Sequence, residues 1–150
     1  MDDFEKSLNH VLVDTFNMIL KFEESSLKKI VSVPVTITEA HMIEVIGTQE
    51  NEETTVSDIS SFLGISMPTT TIAIKKLESK GFINKAPCTT DGRRTIISLT
   101  EMGKRVNRAH NLFHRRMVKN ISKQLEENEK EVLYGAVVKL SEFFKDKVEA

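Results

Sequence analysis

The sequence predicts a mainly α-helical fold with one small β-hairpin. Apolar residues recur at helical spacing over most of the 150 residues. The spacing changes to that of strands only between Gly81 and Thr100. Two short helical segments before that change each end at a glycine, Gly64 and Gly81. Helix, short turn, helix and hairpin, in this order, make a winged helix-turn-helix, and long helices at both ends of the chain complete the fold class.

The first two helices follow from apolar spacing and from one proline. Apolar residues predict a helix over about residues 4–28. Pro34 interrupts the helical pattern, because a proline disfavours the helical conformation of the residue before it. A second helix begins within residues 36–38, since Thr36 and Glu39 have the spacing of a capping box.

The third and fourth helices form the predicted helix-turn-helix. The polar segment Gln49–Thr54 predicts a loop, after which Thr55 caps the third helix. Pro68 lies early in the fourth helix, where a proline is tolerated. The apolar face expected for the third helix consists of Ile59, Phe62 and Leu63. The buried stripe expected for the fourth helix consists of Thr70, Ile74 and Leu77.

The hairpin and two further helices complete the chain. Phe82–Lys85 and Arg94–Leu99 have the composition of strands. The segment Thr89–Gly92 between them predicts a turn, because its Asp-Gly pair readily supplies positive φ. Thr100 then caps a long helix, and a last helix covers about residues 126–148.

The length suits one domain, so we expect a single domain over 1–150. Within it, the winged helix-turn-helix occupies about 36–100, and dimerisation helices occupy about 1–30 and 101–150. The first and last helices are apolar over much of their length, whereas a winged domain of this size needs only part of that surface for its own core. This surplus predicts a homodimer.

Composition excludes several classes of protein. The single cysteine, Cys88, excludes an intramolecular disulfide and a cysteine-based zinc cluster, and it fits a reducing compartment. The N-terminus is acidic, unlike a secretory signal, and no apolar run is long enough to cross a membrane. The common motifs of hydrolases and nucleotide-binding enzymes are missing from the sequence. We therefore expect a cytoplasmic protein that is not an enzyme and has no membrane partner.

The distribution of charge is more informative than its sum. The net charge is −1, which by itself argues against a polyanionic partner. Residues 67–123, however, hold 13 basic and 3 acidic residues, a net charge of +10, and the remainder carries −11. The basic segment includes the fourth helix and the hairpin, and it is expected to meet the phosphates of double-stranded DNA.

The fourth helix and the hairpin tip supply the candidate DNA contacts. An α-helix fits the major groove, where threonine hydroxyls can donate to phosphates or base edges and Ile72 can touch thymine methyls. Arg93 suits the negative potential of a narrow minor groove, and we expect Asp91 to hold its guanidinium. The predicted contact set is Ser66, Pro68, Thr69, Thr71, Ile72, Lys75, Lys76, Asp91, Arg93 and Arg94.

Three segments in this region resemble the MarR family of bacterial transcription regulators. Leu77–Ile83, Asp91–Arg94 and Leu99–Gly103 are similar to its L-x-x-x-G-[FYL]-[IV], D-x-R and L-T-x-x-G patterns, in the same order. The resemblance implies a homodimer that binds a pseudo-palindromic operator, usually as a repressor controlled by a ligand. Asp91 and Arg93 fall on the aspartate and arginine of the family's wing.

Two further segments resemble one branch of the family, the repressors of fatty-acid synthesis genes in Gram-positive bacteria. These segments are Glu44–Gly47 and Phe113–Val118. The resemblance implies an effector that is an acyl chain on an acyl carrier protein. The residues expected to line its channel are Phe16, Leu20, Met42 and Phe113. At helical spacing the same residues are also typical of a hydrophobic core.

Two alternatives stay open. No cofactor is expected to be required, but a zinc-responsive branch of the family places histidine and carboxylate ligands in comparable regions. Candidate ligands here are Glu24, His41, His110 and His114, the last two being one helical turn apart. These histidines could instead pack internally or line a pocket for an organic ligand. The second alternative is a winged module that binds protein, which would not explain a basic hairpin tip.

Overall fold

The computed structural model describes residues 1–30, 32, 34–48, 54–88, 91 and 93–148. Within them it confirms the predicted order of six helices and one hairpin. The elements are α1 (Asp3–Lys28), α2 (Ile37–Thr48), α3 (Val56–Leu63), α4 (Met67–Ser79), β1 (Ile83–Pro87), β2 (Thr95–Leu99), α5 (Glu101–Ser122) and α6 (Glu127–Val148). The predicted loop Gln49–Thr54 and turn Thr89–Gly92 lie mostly outside the described residues.

The chain divides into two compact units, Met1–Phe113 and His114–Ala150. The first unit contains α1 to α4, the hairpin and the first half of α5. The second contains the remainder of α5 and all of α6. The first unit therefore contains α1 and the first half of α5 as well as the residues predicted to form the winged helix-turn-helix. No helix in the described ranges is both long enough and apolar enough to cross a membrane.

The core of the first unit lies between α2, α3, α4 and the hairpin. The predicted stripe of α4 is buried, which orients the opposite face of that helix outward. Phe82, directly before β1, is fully buried. The largest apolar side chains with almost no exposure are Met42, Ile43, Ile46, Ile59, Ile74, Leu77, Phe82 and Val106.

One expected core residue is exposed. Phe62 was predicted on the apolar face of α3, but 63% of it is accessible to solvent. The buried positions of α3 are Ile59 and Ser60, and the Ser60 hydroxyl donates to the Ile65 carbonyl at 2.7 Å. Phe62 lies about 200° around the helix from Ser60, so it faces outward. The prediction was wrong because helical spacing alone does not determine which side of a short helix is packed.

The hairpin is joined by a third short segment that the spacing did not predict. β1 and β2 pair antiparallel with Ile83 opposite Leu99. Thr55 forms an isolated antiparallel bridge with Ile96, and the amide of Ile97 donates to the carbonyl of Thr54 at 2.7 Å. Thr55 therefore caps α3, as predicted, and also anchors that helix to the hairpin.

Glycines end α3 and α4 as expected. Gly64 has φ +62° and Gly81 has φ +79°, in the left-handed region that favours glycine. A third glycine, Gly103 in α5, allows a close approach: a Cβ there would lie 2.1 Å from the carbonyl oxygen of Phe82. The Thr100 hydroxyl completes this junction, because it donates to the Gly81 carbonyl at 2.7 Å and accepts from the Gly103 amide.

Candidate nucleic-acid interface

The N-terminus of α4 is a capped and exposed helix end. Ser66 is the N-cap, and its hydroxyl accepts from the amide of Thr69 at 3.3 Å. The hydroxyls of Ser66 and Thr69 also lie 2.8 Å apart. Pro68 falls in the first turn, as predicted. These three predicted contact residues are exposed together, where backbone N–H groups and the helix dipole favour a phosphate.

The middle of α4 presents an isoleucine to solvent. Ile72 is 69% exposed, although the neighbouring stripe of this helix is buried. Thr71 is half-buried, and its hydroxyl donates to the carbonyl of Met67 at 2.9 Å. An aliphatic side chain on an otherwise polar helix face suits contact with thymine methyl groups in the major groove.

The two predicted DNA-contacting lysines of α4 differ in their surroundings. The ammonium of Lys76 lies 3.1 Å from a carboxylate oxygen of Glu39, a buried residue at the start of α2. The same carboxylate pairs with Lys80 at 2.8 Å. Lys75 is exposed and forms no ion pair within the described ranges. Lys75 is thus available to a phosphate, whereas Lys76 already has a partner.

The carboxyl of Glu39 is charged at neutral pH. Burial by itself raises the pKa of this group. Hydrogen bonds from Lys80, the backbone amide of Thr36 and Lys76 act in the opposite direction and hold the pKa below its ordinary value of 4.5. The ion pairs of Glu39 are therefore formed over the whole neutral range.

The wing is the hairpin of β1 and β2 with the turn between them, and the contacts of its two arginines differ from the prediction. Asp91 does not hold the guanidinium of Arg93; its carboxylate accepts from the backbone amide of Arg93 at 3.0 Å. This correction has a local cause, because an aspartate two residues before an amide readily closes a turn of this kind. Within the described residues Arg93 has no ion pair and is exposed. Arg94 lies 3.9 Å from Asp58 of α3 and so helps to join the wing to that helix.

The remaining basic residue of this surface also forms an ion pair. Lys85 of β1 pairs with Glu78 of α4 at 2.6 Å. Among the described basic residues of α4 and the wing, Lys75 and Arg93 are therefore the two without an ion pair. One lies on the helix and the other on the hairpin, which matches the two grooves that a winged helix-turn-helix can reach.

A second group of polar side chains brings together α1, α2 and α5. Glu23 of α1 is buried and its carboxylate contacts Nε2 of His110 on α5. Nε2 of His41 lies 3.4 Å from the same carboxylate, and the two imidazole rings are 5.2 Å apart. Nδ1 of His110 lies 3.2 Å from the carboxylate of Glu44.

This arrangement replaces one of the four predicted metal ligands. Glu24, predicted as a ligand, instead pairs with Lys28 at 2.8 Å on the exposed side of α1. Its neighbour Glu23 faces the histidines, because successive residues of a helix point about 100° apart. His41 and His110 lie together as the zinc hypothesis requires. His114 belongs to the second unit, where it is half-buried, and its role as a ligand stays a prediction.

The four predicted acyl-channel residues do not share one environment. Met42 and Phe113 are buried, whereas Phe16 and Leu20 are exposed on α1. Phe113 packs edge to face against Phe22, at 5.0 Å between ring centroids. Met42 lines a crevice of about 320 Å³ between α2 and α4. A second crevice, of about 350 Å³, is lined by Ile30, Ser32, Glu101, Met102 and Arg105.

In each compact unit, one long helix carries many exposed apolar side chains. In the first unit they lie on α1: Phe4, Leu8, Val11, Val13, Phe16, Met18, Leu20 and Phe22. In the second they lie on α6: Val132, Leu133, Tyr134, Val137, Phe143 and Phe144. Exposed apolar side chains in such number on one helix are typical of a helix that packs against a partner.

Comparison with known proteins agrees with this geometry. Residues 35–95 match the model of the MarR family. The crystal structure of Streptococcus pneumoniae FabT in complex with DNA is similar, with a TM-score of 0.86, 31% identity, and coverage of 95% of this chain and 98% of FabT. No curated protein sequence matches significantly.

Two structures of MepR from S. aureus share the fold. The MepR–DNA complex has a TM-score of 0.65 and 23% identity, and covers 87% of this chain and 94% of that one. A crystal structure of MepR, a transcription regulator of the S. aureus multidrug efflux pump MepA, has a TM-score of 0.70 and 20% identity. The match covers 91% of this chain and 97% of that one.

Proposed function

This chain belongs to the MarR family of DNA-binding transcription regulators, and from that premise we propose that it is a homodimeric repressor of a pseudo-palindromic operator. The observation that carries the proposal is the paired surface of α4 and the wing. Ile72 and Lys75 are exposed on the helix, Arg93 is exposed on the hairpin, and the surrounding segment of residues 67–123 has a net charge of +10. Likeness over nearly the whole length of FabT, solved with DNA, supports the same conclusion.

The proposed dimer rests on the exposed apolar side chains of α1 and α6. A monomer would leave these helices in water at an unfavourable free energy of roughly 25 cal/mol per Å² of apolar surface. A symmetric dimer buries the same patch on both copies and matches the two half-sites of a palindromic operator. We further expect the protein to act in the cytoplasm, where its DNA would be.

Sedimentation equilibrium with duplexes selected from a random pool tests this proposal. We expect two chains per duplex. The selected half-sites should lie one helical turn of DNA apart, about 10 base pairs. A monomer both free and bound, at micromolar concentration, would refute the dimer. Selection that enriches no duplex at all would instead favour the protein-binding module.

For the effector we propose an acyl chain presented by a carrier protein. Support comes from the segments Glu44–Gly47 and Phe113–Val118 and from the 31% sequence identity to FabT. Leu20 and Phe16 are exposed in the single chain but lie on α1, the helix proposed for the dimer, so an acyl chain would reach them only where the dimer contact leaves them uncovered. Titrating the regulator–DNA complex with long-chain acyl carrier protein should change DNA affinity, and unacylated carrier protein should not. Equal effects of the two would exclude the acyl chain as the recognised group.

The group formed by Glu23, His41 and His110 favours a second candidate, a zinc-responsive regulator. Two imidazole nitrogens and one carboxylate oxygen, already close together, are a donor set that zinc accepts. Glu44 on the other nitrogen of His110 resembles the carboxylates that orient metal-bound histidines. His41 is half exposed, which leaves a path for entry. When bound, zinc would link α1, α2 and α5.

Competition for zinc with a chromophoric chelator tests this candidate. Glu23→Gln and His41→Ala should each weaken zinc affinity, by about 10- to 100-fold or more. Glu24→Gln is the matched control, because the adjacent carboxylate pairs with Lys28 instead. Equal zinc affinity in the wild type, Glu23→Gln and His41→Ala would leave the effector as an organic ligand.

A further inference from the structure

Glu39 joins the recognition helix α4 to the start of α2, and its carboxylate faces two lysines of α4. We propose that Glu39 limits DNA affinity, because it holds the ammonium of Lys76 back from DNA phosphates and so lowers affinity for DNA of any sequence. This inference rests on the proposed docking of α4 in the major groove. It assigns to Glu39 a role beyond capping α2.

The Glu39 carboxylate is held in place independently of Lys76. The amide of Thr36 donates to it at 2.9 Å, which completes the capping box of α2. Lys80 donates to both of its oxygens, at 2.9 and 2.8 Å, and also to the carbonyl of Pro34 at 2.9 Å. Glu39 is therefore a rigid acceptor whose position does not depend on the side chain of Lys76.

The two lysines that share this carboxylate are not equivalent. The side chain of Lys80 is 22% exposed and has three acceptor contacts, so its role is structural. The side chain of Lys76 is 56% exposed and lies 3.1 Å from a single oxygen of Glu39. Lys76 is the one at the solvent side, where a DNA phosphate would compete with Glu39 for its ammonium.

This competition would act on affinity without acting on sequence readout. Phosphate contacts contribute binding to every sequence, whereas base-edge contacts discriminate between sequences. A lysine neutralised by a buried carboxylate releases fewer counterions from DNA than a free lysine. Contacts of Ile72 with base edges are unaffected by the pair. Removing the charge of Glu39 should therefore raise the affinity for operator DNA and for mixed-sequence DNA by a similar factor.

Lys75 is the matched comparison on the same helix. It is one residue from Lys76, it is also exposed, and it has no ion pair within the described part of the chain. If the surroundings of a lysine determine its contribution, Lys75 should contribute a full phosphate contact and Lys76 only part of one.

Salt titrations of duplex binding, read by fluorescence anisotropy, test the inference on the full chain. Two probes are used: a mixed-sequence duplex and the tightest duplex selected from a random pool. Glu39→Gln keeps an oxygen for the Thr36 amide but removes the charge. We expect the slope of log K against log salt for the mixed-sequence duplex to steepen by about 0.9, with affinity about five- to tenfold higher at ~0.1 M salt. Binding of the selected duplex should gain by a similar factor, because a phosphate contact does not depend on the sequence.

Two lysine variants complete the experiment. Lys75→Ala should lose about 0.9 of the slope, and Lys76→Ala should lose less. Glu39→Gln combined with Lys76→Ala should lose the gain of Glu39→Gln. The lysine comparison needs no folded Glu39 variant, since both lysines are on the surface.

An unchanged slope in Glu39→Gln, or equal losses in the two lysine variants, would overturn the inference while leaving α4 as the DNA-binding helix. If Lys75→Ala and Arg93→Ala both keep full affinity, the proposed docking fails as well.

Discussion

The carboxylate of Glu23 on α1 is hydrogen-bonded to Nε2 of His110 on α5, and both side chains are almost completely buried. The two residues are 87 positions apart in the sequence. A buried pair of this kind connects the N-terminal helix to the first unit's core, beside the apolar surface proposed for the dimer. Loss of either side chain removes a buried contact of the other, so it has a direct consequence for stability.

Removing one member of this pair should be strongly destabilising. We expect His110→Ala and Glu23→Ala each to lower the free energy of unfolding by about 3–5 kcal/mol, and the double variant to lose less than the sum. Glu24→Ala, next to Glu23 but on the exposed side of α1, should cost at most about 0.5 kcal/mol. Urea unfolding followed by circular dichroism measures all four. Similar losses for Glu23→Ala and Glu24→Ala would contradict the burial of the pair.

The unpaired arginine of the wing should contribute directly to DNA affinity. We expect Arg93→Ala to weaken duplex binding by about 1–3 kcal/mol with no loss of thermal stability. Lys28→Ala, which removes an exposed lysine of α1 paired with Glu24, is the charge-matched control and should change affinity little. Anisotropy with the selected duplex checks both. If the two variants bind alike, the wing does not enter a groove.

Ile72 should matter for DNA recognition but not for folding. Because the side chain is 69% exposed, Ile72→Ala should change the free energy of unfolding by at most about 0.5 kcal/mol. Its loss should nevertheless reduce affinity for the selected duplex more than for a mixed-sequence duplex, since only base-edge contacts carry sequence information. Phe62→Ala on α3 is a control of similar exposure. An equal loss on both duplexes would assign Ile72 to general packing against DNA.

Stability should fall in acid through Glu39 and Asp58. The pKa of each carboxyl is lower in the folded chain than its ordinary value, 4.5 for Glu39 and 3.8 for Asp58. For Asp58 the chief causes are bonds from the hydroxyl and amide of Thr55, and Arg94 adds to them. Groups with a depressed folded pKa contribute stability above the unfolded pKa and lose it as pH falls through the folded pKa.

Urea unfolding between about pH 6 and about pH 3 measures this dependence. The wild type should lose stability as pH drops below about 4.5, and Glu39→Gln should show a shallower loss over the same range. Parallel curves for the two proteins would show that Glu39 does not titrate with folding.

Two glycines in helices should respond oppositely to alanine. A Cβ at Gly103 would meet the backbone oxygen of Phe82 at 2.1 Å, so Gly103→Ala should destabilise by about 1–3 kcal/mol or more. Gly135 in α6 has open space around that position, and Gly135→Ala should raise stability by roughly 0.5–1 kcal/mol through helix propensity. Thermal melts compare the two. A stabilised Gly103→Ala would disprove the close approach of α5 to Phe82.

Local spacing was sufficient to predict the helices, the hairpin and the outward face of α4. These features depend on residues a few positions apart: caps such as Thr36 and Glu39, the glycines after α3 and α4, and the stripe of α4. The candidate DNA contacts followed from the same patterns, because the position of the stripe determines which α4 residues remain exposed. Arg93 could be predicted as a candidate contact from its position in the hairpin alone.

Long-range packing decided what spacing could not. Glu23 rather than Glu24 faces the histidines, and Lys76 rather than Lys75 is paired, because the rotation of each helix is set by its neighbours. Adjacent residues point about 100° apart, so a small rotation exchanges their roles. Partners as distant as Glu39 and Lys80 meet only once α2 and α4 have packed. Periodicity thus determines which residues share a face, and tertiary contacts determine what that face touches.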